Sequence, residues 1–132
     1  MKRDWDLLRW ILSEAESARA GYPLVLTFGS YSSDHDRLDI GDRDFEEVYE
    51  HILLLGDSGL AEVRNLGQSY SEPIGAVINR LTMAGHDFLD AARDDTLWKK
   101  AMKVVDEKGG AITVGVLTQL LSAFMKHHFE LP

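Results

Sequence analysis

No cysteine occurs among the 132 residues of this chain. Disulfide scaffolds, thiolate zinc sites and thiol nucleophiles are therefore excluded together. Long apolar runs are missing as well. The longest, such as Ile52 to Leu55, are far too short to cross a bilayer. Asp4 and Asp6 interrupt the place where the apolar stretch of a signal peptide would sit. Prolines number three, no Pro/Ser-rich linker divides the chain, and neither an internal repeat nor a low-complexity tract is present. These absences lead to the expectation of one soluble, cytoplasmic domain over residues 1–132, with no membrane association.

Basic charge is scarce too. The formal charge is −8, of which residues 1–66 carry −7 and residues 67–132 carry −1. An acidic half repels phosphate backbones, which counts against nucleic acid as the default partner. What is present is ordinary globular composition, with 45% apolar and 27% charged residues, enough to bury a core.

Along the chain, Leu7, Leu8, Ile11, Leu12, Ala15 and Ala18 recur at helical spacing, with Asp4 placed to cap the first turn and Gly21 and Pro23 to end the helix. Leu24 to Phe28 is a short β-prone run. Gly29 to Asp42 is polar and aperiodic and reads as a loop with at most one helical turn. A helix over 44–58 follows, opened by Asp44 with Glu47 in a loose capping box and buried through Phe45, Val48, Tyr49, Ile52, Leu53 and Leu55. Gly59 supplies a left-handed cap that Leu60 closes. Strands over 60–66 and 74–81 flank a hairpin tip at 67–73, and Thr82 caps a helix through Ala92. Leu97, Trp98, Ala101, Met102 and Val105 stripe the next helix, stopped by Lys108-Gly109-Gly110. The last, over 113–128, is expected to bury Val116, Leu117, Leu120, Leu121, Phe124 and Met125.

The run from Tyr49 to Val63 together with that from Ile78 to Leu89 reads as the end of a winged helix: a helix stopped by glycine, two strands joined by a turn, then a threonine-capped helix. The fold expected is therefore α+β, a winged-helix-like core (helix, short strand, helix, two-stranded wing) extended by C-terminal helices from about residue 94. Three stretches also resemble the bacterial and phage family named domain of unknown function 2513. They are Met1 to Leu7, His51 to Leu60, and Leu81-Thr82-Met83-Ala84-Gly85-His86-Asp87-Phe88-Leu89-Asp90-Ala91-Ala92-Arg93-Asp94-Asp95-Thr96-Leu97-Trp98, with the likeness running on through Lys108-Gly109-Gly110 into the last helix. The resemblance implies a winged-helix-like fold and no reaction. One departure stands out. No apolar helical stripe lies between Phe28 and Asp44, where the middle helix of a helix-turn-helix should brace the recognition helix.

If residues 44–58 take the recognition position, their charges are Asp44, Glu46, Glu47, Glu50 and Asp57, with Arg43 just ahead and no Lys or Arg within. Docking on DNA needs phosphate neutralisation, and this helix offers none. The plainest reading is a solvated acidic face, with a protein-binding face as its rival. An EF-hand loop beginning at Asp34 would need a ligand at Leu38, a Gly at Asp39 and a Glu at Phe45, and all three fail. His86-Asp87 is a two-residue match to a metal dyad without distant partners, so a structural role is expected. His127-His128 reads as a frayed polar end, and Arg93 beside Asp94 and Asp95 as a local ion pair and cap. No phosphate loop, nucleophile elbow or metal-ligand pattern occurs.

The reading is thus a non-enzymatic regulatory or protein-interaction module. The alternatives are a winged-helix DNA-binding transcriptional regulator, in which a basic wing or a dimer partner compensates for the acidic helix, and an acidic phage decoy that blocks a host factor. No catalytic, cofactor or metal residue is nominated, and neither a cofactor nor a small-molecule substrate is expected. The partner is a protein or a second copy of the chain, with duplex DNA disfavoured. Candidates for partner binding are Trp10, Arg43, Glu47, Glu50, His51, Gln68 and Tyr70, and for self-association Trp98, Leu120 and Phe124. Trp5 and Trp98 are otherwise expected in the core, with Trp10 at the edge of the buried arc of its helix.

Overall fold

A computed structural model describes residues 1–27, 36–69 and 72–129. The fold is mixed α+β, and the chain divides into two compact units, Met1–His86 and Asp87–Pro132, the division falling within a helix.

In the first unit, α1 (Trp5–Ser17) starts where Asp4 accepts a hydrogen bond from the Leu7 amide and buries Trp5, Leu7, Leu8, Ile11 and Leu12. It is followed by β1 (Leu24–Thr27), β2 (Asp36–Arg37), α2 (Phe45–Asp57), β3 (Ala61–Asn65), the short pair β4 (Gln68–Ser69) and β5 (Glu72–Pro73), and β6 (Gly75–Leu81). One sheet has the order β2-β1-β6-β3, and β4 with β5 forms a separate two-stranded ribbon. β6 runs antiparallel to both β1 and β3, with a register shift between Glu62 and Val63. The two inner strands are the most apolar, and α1 and α2 pack on β6 and on each other.

The segment 29–42 departs from its expected loop. Among its described residues lies β2, which pairs in parallel with β1 in the register Leu24 with Asp36 and Val25 with Arg37. Leu38 continues this pairing, donating its amide to the Val25 carbonyl at 2.9 Å, and its side chain is buried. Two residues of strand carry no periodicity to read; the backbone of β1 supplies the order. Residues 28–35, and with them Asp34, His35 and the start of the acidic loop, lie outside the described residues.

α2 opens on Asp44, whose carboxylate accepts from the Glu47 amide at 3.0 Å. It closes as the residues forecast. Gly59 sits at φ +75°, its amide bonds the Gly56 carbonyl, and the Leu60 amide reaches Leu55 at 3.0 Å. A Cβ on Gly59 would meet nothing within 4 Å. A substitution there is therefore penalised by left-handed backbone strain alone. Gly59→Val is expected to destabilise the protein by roughly 1–2 kcal/mol, and Gly59→Asn by less, as read from urea midpoints. A valine variant as stable as the parent would remove the left-handed cap from the account.

Thr82 then joins two elements. Its hydroxyl accepts from the Gly85 amide at 3.1 Å, capping α3 (Met83–Ala92), and donates to the Gly59 carbonyl at 2.6 Å.

The second unit comprises the rest of α3 with α4 (Asp95–Glu107) and α5 (Val114–His128), capped by Asp94 and Thr113. Phe88 meets Trp98 edge to face with ring centres 6.4 Å apart. α4 buries Trp98, Ala101 and Val105, and packs against α5. α5 differs from its expected burial. Only Leu117 and Leu121 are buried, Leu120, Phe124 and Met125 are half-buried, and Val116 is 52% exposed. An apolar spacing marks the side of a helix that is able to pack, and packing neighbours decide how wide an arc is covered.

Candidate functional site

Between the starts of α1 and α2 the first unit has an open cleft of about 280 Å³, lined by Asp4, Asp6, Leu7, Trp10, Arg43, Asp44, Glu47 and Val48. Its geometry follows from two helix beginnings held side by side. Asp4 and Asp44 are the N-caps of the two helices, so each carboxylate is held at a helix start by its own cap bond. His51, one turn beyond Glu47, binds the helices together. Its Nε2 accepts from the Asp4 amide at 2.9 Å, and its Nδ1 lies 2.7 Å from the Glu47 carbonyl. An amide can only donate, so Nε2 is the acceptor and Nδ1 carries the hydrogen that Glu47 receives.

Trp10, on the edge of the buried arc of α1, is half-buried and presents a ring face to the cleft. The Arg43 guanidinium lies over that face, 3.7 Å from the ring centre, and Arg43 Nη1 donates to the Ile40 carbonyl at 3.4 Å. Four carboxylates thus line the same cleft as one guanidinium stacked on one indole. Among the described residues no group of three or more His, Asp or Glu side chains could hold a metal ion, so these carboxylates do not converge on a single point. Along α2 the acidic character continues, with Glu46, Glu47, Glu50 and Asp57 all exposed.

Of the partner-binding candidates, Trp10, Arg43 and Glu47 come together in this cleft, and Glu50 lies exposed on the next turn of α2. His51 does not belong with them. At 1% exposure, with both ring nitrogens engaged inside the chain, it positions the cleft and offers no surface. Gln68 falls in β4, and Tyr70 lies outside the described residues. Asp4, Asp6 and Asp44 escaped the sequence reading as site residues because capping explains two of them locally, and only the pairing of α1 with α2 brings all three to one opening.

The self-association candidates also separate. Trp98 is 2% exposed, packed on Phe88 within its own unit, and presents no surface to a second chain. Leu120 and Phe124 are half-buried, and Lys100 Nζ stands 4.5 Å from the centre of the Phe124 ring. His86 and Asp87 are exposed on α3. Arg93 pairs with Asp90 at 2.7 Å, one turn back, while Asp94 caps α4. No described helix is long and apolar enough to cross a membrane.

Comparison with known proteins gives a relative from Haemophilus influenzae, named only "Uncharacterized protein", that is 29% identical over 120 residues, covering 91% of this chain and 92% of that one. No solved structure matches. Residues 2–111, from the start of the acidic cleft through α4, match the family described as "Hypothetical protein (DUF2513)", and the chain belongs to that family.

Proposed function

We propose that this protein is a non-enzymatic interaction module on a winged-helix-like core, and that it takes an arginine-containing basic segment of a protein partner in the cleft between α1 and α2. The observation that carries the reading is the stacked Arg43–Trp10 pair in a cleft whose lining also holds Asp4, Asp6, Asp44 and Glu47. An arginine from a partner could use the same indole and the same carboxylates in place of Arg43. Support for the core comes from the order helix, strand, helix, hairpin, with β1 pairing to the second hairpin strand and the Gly59–Thr82 contact closing the unit.

A DNA-binding use of the same core finds less support. The exposed face of α2 carries four acidic side chains and no cation, and the hairpin from Leu66 to Ile74 contains Glu72 and neither Lys nor Arg. Residues 36–44 hold β2 and turns in place of a bracing helix. Counterion release, a large source of affinity for duplex DNA, has little to act through on the α2 face and the hairpin tip.

The test pairs two titrations by calorimetry. A synthetic peptide alternating Arg and Ser is expected to bind, and to weaken at high salt as exposed charge pairs are screened. Glu47→Lys combined with Glu50→Lys is expected to weaken it about tenfold, or roughly 1.4 kcal/mol. A random pool of duplex DNA is expected to show no selective retention at physiological salt. Specific retention of one duplex, or a peptide affinity indifferent to the double charge reversal, would overturn the proposal.

A further inference from the structure

We infer that α5 pairs with α5 of a second copy of this chain, antiparallel across a two-fold axis near Leu120. The inference concerns the second unit alone and does not rest on the reading of the acidic cleft. From Gly109 to Met125 no charged residue occurs, in a chain that is 27% charged. This uncharged segment is nevertheless at the surface: Gly115, Val116, Gln119 and Ala123 are exposed. A helix facing water ordinarily carries charge on its outer side. Val116, Leu120, Ala123 and His127 follow one another at intervals of four, three and four residues, the spacing at which helices interdigitate along a seam. That line runs beside Leu117 and Leu121, which are already buried.

Charge identifies the occupant. A two-fold contact sets a surface against its own copy, so a face that carries charge of one sign only repels itself. In a chain of formal charge −8 the acidic face of α2 would repel itself, whereas the face of α5 has no charge to repel. The ends of the second unit are complementary. α4 finishes at Asp106 and Glu107, a short connection over 108–113 leads into α5, and α5 finishes at Lys126, His127 and His128. Antiparallel pairing brings the basic end of one α5 to the start of the other, beside the acidic end of the partner copy's α4, and it opposes the two helix dipoles head to tail. Fifteen residues of helix span about 22 Å, a small contact, so the dimer belongs to the weak and reversible class.

Sedimentation equilibrium on the intact protein, from about 10 µM to about 1 mM, is expected to show a monomer passing to a dimer. Ala123→Glu should weaken the dimer at least tenfold with an unchanged circular dichroism spectrum, because Ala123 is exposed and its loss empties no core. Lys126→Glu should weaken it as well, and adding Glu107→Lys should restore it. Because the chain has no cysteine, Leu120→Cys should give a single disulfide-linked dimer on mild oxidation. A monomer mass throughout the range ends the proposal. A dimer indifferent to Ala123→Glu places the interface elsewhere, and failure of the charge swap to restore association rejects the antiparallel arrangement.

Discussion

Replacing Gly85 by alanine is expected to cost the protein roughly 3 kcal/mol or more, a large part of the 5–15 kcal/mol that holds a typical domain folded. Two effects of opposite sign compete at this position. Alanine is the better helix former by about 1 kcal/mol, which on its own would stabilise α3. Against that, the added Cβ would stand 1.9 Å from the Leu60 carbonyl oxygen and 2.9 Å from its carbon. The obstacle is backbone and is not free to swing aside. The Leu60 carbonyl accepts from the Thr82 amide at 3.1 Å, its amide closes the cap of α2, and its side chain is buried. Relief requires α3 to move off the junction of α2 and β3, so the clash outweighs the propensity. Gly115→Ala is the internal control, since a Cβ there meets nothing within 4 Å, and it is expected to be neutral or to stabilise by up to about 1 kcal/mol. Urea unfolding of the two variants decides. Equal midpoints for Gly85→Ala and the parent would mean that α3 does not approach Leu60 as closely as described.

His51→Ala is the second substitution with a large expected effect, roughly 2–4 kcal/mol. Part is the cavity left by a ring that is 1% exposed. Part is the Asp4 amide, which loses its acceptor at 2.9 Å together with the Glu47 carbonyl's partner at 2.7 Å. Asparagine can replace one of these bonds and is expected to fall between alanine and the parent. The substitution also bears on function. His51 holds the start of α1 against α2, so its loss should loosen the cleft and weaken the arginine peptide even though every carboxylate remains. Glu47→Lys with Glu50→Lys should weaken the peptide while lowering stability by no more than about 1 kcal/mol, both sites being exposed. Measuring stability and peptide affinity on both variants separates positioning from contact. An alanine variant with an unchanged midpoint would show that the histidine bridge contributes nothing to the packing of α1 on α2.

Helix starts, and the end of α2, were legible in the residues because what sets them is local, whereas α1 stops at Ser17, short of the expected Gly21 and Pro23. Asp4, Asp44, Asp94 and Thr113 each bond an amide three residues on, and the turn around Gly59 closes within five. Such interactions need no tertiary partner, so residue type and spacing suffice to place them. The hairpin from β3 to β6 belongs with them, since a turn between two apolar runs is itself a short-range signal.

Burial and convergence were not legible, and the reason is range. His51 read as an outward-facing candidate because nothing near it in the chain announces that the Asp4 amide, 47 residues away, will close on its ring. The strand at Asp36 and Arg37 exists only because β1 lies alongside it, and the tightness at Gly85 only because Leu60 arrives there. Trp10, Arg43 and Glu47 could be named one by one, but the cleft they share with two capping aspartates is made by the packing of α1 on α2. By itself the sequence determined where the helices start, where the hairpin strands β3 and β6 lie and that the α2 face is acidic, because caps, turns and charges act over a few residues. The tertiary structure alone decided which side chains are buried, which carboxylates meet around Trp10, and how much of α5 is left facing water, because each of those depends on groups that only folding brings together.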